Sequence, residues 1–176
     1  MGRLYVEWIH DDLIGSLWPD IDPVSKDEYR DIDLLESALA RPFHSAGGAD
    51  AYPSVIEKAS ALFHSMISNH PFQNGNKRTA VLAVDAFLPA NGFSLALDNA
   101  SMYDLARMTA SYRARGLSHE APFREIKDAL MRFAVPLATL YRAQRKEKRL
   151  ATLYQRVIAV RKSVRNNPDN QIMRTS

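Results

Sequence analysis

Residues 80–88 read Ala-Val-Leu-Ala-Val-Asp-Ala-Phe-Leu, with Asp85 the one polar side chain in the run. A helix apolar nearly all round has no face to offer solvent, so other elements must cover it on every side. The run therefore predicts a central buried helix over residues 77–88, and a bundle around it. Candidates to surround it show in the spacing. Val6, Ile9, Leu13 and Leu17 recur at helical intervals until Trp18-Pro19 stops them. Leu34, Leu35, Ala38 and Leu39 mark a short helix ending near Arg41-Pro42. Ile56, Ala59, Leu62, Phe63, Met66 and Ile67 give an apolar face to a helix beginning at Pro53 or Ser54. Asp98 or Asn99 caps a helix that uses Met102, Leu105, Met108 and Tyr112, and Pro122 fits the first turn of one that uses Phe123, Ile126, Leu130 and Phe133. Residues 19–31 read as loop, residues 43–52 with Gly47-Gly48 as a loop or small hairpin, and residues 89–92 as the end of the central helix. The expected fold class is all-α.

Composition narrows the setting. Hydrophobic residues make up 46% of the 176, enough to build a core. There is no cysteine, so neither a disulfide framework nor a thiolate metal site can form. No basic segment followed by an apolar run opens the chain, and no apolar stretch reaches the ~20 residues of a membrane span. The expectation is a soluble cytoplasmic protein. Charge is uneven: from Pro136 onward ten basic residues face two acidic ones, a net +8, which leaves −5 for residues 1–135. That asymmetry predicts a body over 1–135, a basic helical extension over 136–165 and a disordered tail over 166–176. The extension is most simply a solvated helix. Its sharper readings are a docking surface or a nucleic-acid contact, although Tyr141 and Tyr154 are its only aromatics and base stacking is weakly indicated.

The chemistry concentrates in residues 70–78, His-Pro-Phe-Gln-Asn-Gly-Asn-Lys-Arg, where the helical pattern breaks just ahead of the central helix. Backbone N–H groups at a helix start lack internal acceptors, and with the helix dipole they attract anions. Gly75 permits close backbone approach, and Lys77 and Arg78 add positive charge. His70, at the other end of the loop, is of the type that takes a proton from a hydroxyl. Phe72 is an apolar residue in a polar loop and reads as its anchor. A base beside a phosphate cradle suggests group transfer from a nucleotide to a hydroxyl.

The same nine residues resemble the signature of the Fic/Doc family, whose motif runs His-Pro-Phe, two variable positions, Gly-Asn, Gly or Lys, and Arg. Matches stand at His70, Pro71, Phe72, Gly75, Asn76, Lys77 and Arg78. Arg30-Asp31, the stretch from Leu34 through Pro42, Tyr52-Pro53, Thr79-Ala80 and Asn91-Gly92 also resemble Doc-type members, so the likeness covers roughly residues 5–133. The resemblance implies an all-helical fold with the motif loop between two central helices, and a flap over the site, for which residues 43–52 stand in place. It implies His70 as catalytic base, Gly75 and Asn76 holding phosphate oxygens, and Arg78 binding the outer phosphates. Lys77, in place of the glycine of AMP-transferring members, goes with transfer of the γ-phosphate of ATP to a serine or threonine of a target protein, such as elongation factor Tu. A small antitoxin protein would control it. Where the family usually places a carboxylate for Mg²⁺, this chain has Asn74, whose neutral amide is a weaker ligand. Transfer of AMP, and a catalytically weak binding module, remain the other two readings. No inhibitory string of Ser or Thr followed four residues later by Glu is found. His44, His64 and His119 lack metal spacing and carry no expected chemistry.

Overall fold

Capping chemistry sets where the helices begin. The structure, a computed structural model, describes residues 1–17, 24, 29–118 and 120–143. The chain opens with α1 (Arg3–Trp8), a π-helical turn (Ile9–Leu13) and α2 (Ile14–Leu17). Next come α3 (Ile32–Ala40), whose N-cap Asp31 accepts a bond from the Asp33 N–H, and a 3₁₀ turn (Arg41–Phe43). Strands β1 (Ser45–Ala46) and β2 (Ala49–Asp50) form a hairpin. α4 (Val55–Asn69) starts at Ser54 with a complete capping box: Ser54 accepts from the Glu57 N–H, and the Glu57 carboxylate accepts from the Ser54 N–H. α5 (Asn76–Ala90) follows, then β3 (Phe93–Leu95), α6 (Asn99–Ala110) capped by Asp98, α7 (Ala121–Phe133) with Pro122 in its first turn, β4 (Ala134–Pro136) and α8 (Leu137–Ala143).

The predicted central helix is central. On α5, Ala80, Ala83, Val84 and Leu88 are completely buried. α4 lies along it, and α6, β3 and the π-helical turn cover its other sides. Phe63, Leu62 and Met66 of α4, Leu35 of α3, Met102 of α6 and Ile126 and Leu130 of α7 close the main core. Each such side chain contributes roughly 1.5–3 kcal/mol by leaving water. A smaller cluster of Ile9, Ile14 and Leu82, with Val24 against it, welds the first helical stretch to α5. This mostly helical architecture agrees with the expected fold class.

Three local expectations are corrected. α5 runs through Pro89 to Ala90, because a proline late in a helix loses only one bond to its own missing N–H; Gly92, at φ +85°, then turns the chain. Met108 was expected on the buried face of α6, but it is exposed, and the helix ends at Ala110 before Tyr112. The pairing of β3 with β4, Phe93 to Pro136 and Leu95 to Ala134, was not foreseen, since three-residue strands carry too little alternation to read. The expected boundary after residue 135 falls inside β4. Leu137 donates its N–H to the Gly92 carbonyl, and Leu137 and Leu140 are buried. Of the extension, residues from 144 onward lie outside the described residues, as does most of the predicted loop over 19–31. Among the described residues, no helix is long and apolar enough to cross a membrane.

The hairpin at Gly47-Gly48 forms, with both glycines at positive φ (60° and 81°) as a two-residue turn demands. Its place differs from the expected one. Asp50 is pinned by Lys58, in the first turn of α4, at 2.7 Å. His70 follows the last turn, about 18 Å further along at 1.5 Å per residue. No hairpin residue lines the cleft at His70. The intervening helix, invisible to a reading by chain order alone, puts hairpin and motif at opposite ends.

Candidate active site

The motif loop leaves α4 through a left-handed residue. His70 is its C-cap at φ 53°, ψ 58°, and it is the one non-glycine residue at positive φ among the described residues. Such a backbone costs of order 1 kcal/mol and persists where surroundings hold it. The holding groups are visible. The Pro71 carbonyl accepts N–H bonds from Arg30 (2.8 Å) and Asp31 (3.1 Å), and Phe72 forms an antiparallel bridge with Tyr29. The Phe72 ring is buried between Tyr29 and His10; the His10 ring stacks on it at 3.9 Å and 10°. Phe72 thus packs the loop against the core.

Asn76 does more than begin α5. Its side chain is buried; Oδ1 accepts the Phe72 N–H at 2.9 Å, and Nδ2 donates to the Phe72 carbonyl at 2.8 Å. The same amide nitrogen lies 3.2 Å from His70 Nδ1 and 3.4 Å from Nε2. An amide N–H can donate only to a ring nitrogen that carries no proton. Burial, then the charges of Arg30 and Lys77, push the His70 pKa below its ordinary 6.5. Both effects leave His70 as a neutral base.

Gly75, the N-cap of α5, has φ +75°. A Cβ there would lie 2.7 Å from Val24 Cγ1 and 3.2 Å from the His10 ring. The tight approach that requires glycine is thus inward, against His10, whereas the sequence suggested only an outward approach to a ligand. Beyond it, the N–H groups of the first turn of α5 have no acceptor within the helix. Asn74 turns its amide oxygen to the Gly75 N–H at 2.6 Å.

In front of His70 lies a cleft of about 470 Å³. Arg30, Lys77 and Arg113 line it with His70 and Asn76, and none of its lining residues is acidic. A second, more open hollow of about 700 Å³, between Lys77 and the face of α6 bearing Tyr103 and Arg107, adjoins it but does not reach His70. The smaller one is the candidate site because it holds the base. Arg78, the last motif residue, is half-buried in the first turn of α5 and does not line the cleft. The described residues do not make a magnesium site. The loop has no carboxylate, and the Asn74 oxygen already accepts a backbone N–H. Gln73 donates to the Tyr29 carbonyl at 3.2 Å, away from such a role. His64 is buried against Phe123, as a core histidine, and His44, which follows the 3₁₀ turn, does not line the cleft.

Sequence reasoning missed three residues here: His10, Arg30 as a charged wall of the cleft, and Arg113. His10 had a signal, a histidine four residues after Val6 on an apolar stripe and followed by Asp11. Arg113 had none, since a surface arginine in a turn is ordinary.

Residues 3–88 match the model of the Fic/DOC family. Over 69 residues the chain is 49% identical to Toxin Doc of Mycolicibacterium smegmatis, a stretch covering 39% of this chain and 53% of that protein. The match thus spans about half the length of that curated relative. No solved structure matches the chain. The helical frame, the loop at His70 and these matches point the same way: over residues 3–88, just under half of its length, this chain is similar to the Fic/DOC family.

Proposed function

We propose that this chain is a Doc-type toxin that transfers the γ-phosphate of ATP to a serine or threonine hydroxyl of a target protein. The observation that carries the reading is the pairing of a neutral His70, braced by Asn76, with a cleft walled by Arg30, Lys77 and Arg113. In the reaction the hydroxyl oxygen bonds to the γ-phosphorus as the bond to the β-phosphate oxygen breaks. The hydroxyl proton passes to His70, and ADP leaves. Lys77, which lines the cleft, and the N–H of Asn76 are assigned to phosphate oxygens, and Arg78 to outer phosphates that extend beyond the cleft toward the first turn of α5; the Asn76 side chain is assigned to orienting His70. Magnesium would arrive on the nucleotide, held by its phosphates and water. Relatedness to a protein named as a toxin supports control by a small antitoxin and action on a cytoplasmic target. Elongation factor Tu is the first target to try.

The second reading is a nucleotide-binding module of low activity, favoured by the engaged amide of Asn74. The two separate on one experiment. Purified protein, Mg²⁺ and a bacterial lysate are incubated with γ-labelled or α-labelled ATP, beside a His70→Ala control. Label from the γ-phosphate on one protein band, lost in the control, is the expected outcome. Label only from the α-phosphate makes the chain a nucleotidyl transferase. ATP binding without label from either supports the module.

A further inference from the structure

His10 is completely buried, is polar, and lies outside the signature. It sits in a π-helical turn, a helix variation frequent at functional sites. Each of its ring nitrogens faces an oxygen. Nδ1 lies 2.6 Å from Asp11 Oδ1, and Nε2 lies 3.1 Å from the Asn74 carbonyl oxygen. A carbonyl oxygen only accepts, so the bond to Asn74 forms only if Nε2 carries a proton. The ring meanwhile stacks on Phe72 and occupies the space that a side chain at position 75 would need. One imidazole thus touches Phe72, Asn74 and Gly75, the stretch that leads into the first N–H groups of α5.

We propose that His10, oriented by Asp11, is a positioning residue for the anion-binding loop. By donating to the Asn74 carbonyl, it turns that peptide inward, and the chain after it enters α5 with its N–H groups facing the cleft. The Asp11 carboxylate fixes the ring in the plane that serves the stack and the bond at once. A histidine that merely filled the core would be replaceable by any ring of its size. A positioning histidine is replaceable by a side chain that keeps its Nε2 donor.

The affinity readout rests on the nucleotide reading above; the spectroscopic one does not. In the full-length wild-type chain, ¹⁵N spectra of the His10 ring are expected to show Nε2 protonated, and a bare Nε2 overturns the proposal. ATP affinity is then measured by calorimetry, well below each variant's melting temperature. His10→Phe keeps the ring and is expected to bind about tenfold or more weakly. His10→Gln places an amide donor near the old Nε2 and is expected to stay within about threefold. Wild-type affinity in His10→Phe, or equal loss in both variants, overturns the proposal. If the wild type does not bind ATP, the nucleotide reading fails and the backbone amide signals of Gly75 and Asn76 decide. Movement in His10→Phe but not in His10→Gln supports the positioning role, and no movement in His10→Phe defeats it. Should His10→Phe not fold, the ring spectrum decides alone.

Discussion

Two short segments flank α4, and they could hardly differ more. The hairpin before it is exposed from Phe43 to Ala51 and closes on itself: Ser45 pairs with Asp50, Ala46 with Ala49, and the Ala51 N–H with the His44 carbonyl. The motif loop after it makes few bonds to itself beyond those of Asn74 and Asn76. Its holders come from afar in sequence: His10 from the π-helical turn, and Tyr29, Arg30 and Asp31 from the stretch before α3. Both segments contain glycines at positive φ. The difference shows that a loop becomes a site when distant elements over-determine its backbone, and a hairpin that satisfies itself has no such constraint.

The widest gap between the two segments should appear in their phenylalanines. Phe72→Ala empties a stacked, buried position and is expected to cost about 4 kcal/mol in urea denaturation. Phe43→Ala removes a half-exposed ring 5.6 Å from the Lys58 ammonium and should cost below about 1 kcal/mol. Equal losses would mean that the hairpin is as integral as the loop. The glycines give a finer contrast. Gly75→Ala meets both a left-handed φ and the Val24 and His10 side chains, so about 2 kcal/mol or more is expected, with loss of ATP binding. Gly47→Ala has an equally left-handed φ but open space around it, and should cost about 1 kcal/mol with binding intact. Matching costs would show that backbone conformation alone, and not the fit to His10, sets the requirement.

The smallest effect concerns charge. His70 acts as a base only when neutral, and its pKa lies below 6.5 through burial first and then Arg30 and Lys77. Activity is therefore expected to be flat above neutrality and to fall as pH drops through that lowered value. Arg30→Gln removes one cation, raises the pKa, and should move this acid limb upward by less than about one pH unit. A pH–rate profile of both proteins checks it. A wild-type limb at or above pH 6.5 would refute the electrostatic account of the cleft. The hairpin, pinned about 18 Å away by helix length, offers a control: Asp50→Asn should leave the limb in place.

Much of the frame was legible because it rests on local rules. A helix start at Pro53 or Ser54, Asp98 or Asn99 before a periodic run, and Pro122 in a first turn each act within four residues, the range at which sequence is directly readable. The site's ends were legible for the same reason: His70 closes one helix, and Gly75-Asn76 opens the next. The faces of α6 were less so, since nothing near Met108 in sequence says that the helix turns it toward solvent.

Sequence alone determined that a helix apolar on all sides must be enclosed, that a loop resembling the Fic/DOC signature precedes it, and that the loop carries a histidine and two cations. Only the tertiary structure decided what holds that loop. His10 is 64 residues from its partner Asn74, Arg30 is 39 from Asn69, and the hairpin's distance from His70 is set by the length of α4. The division has a physical cause. Helix propensity and capping are interactions between near neighbours. Stacking, burial and cross-chain hydrogen bonds depend on which surfaces meet, and that is fixed only when the whole core is assembled.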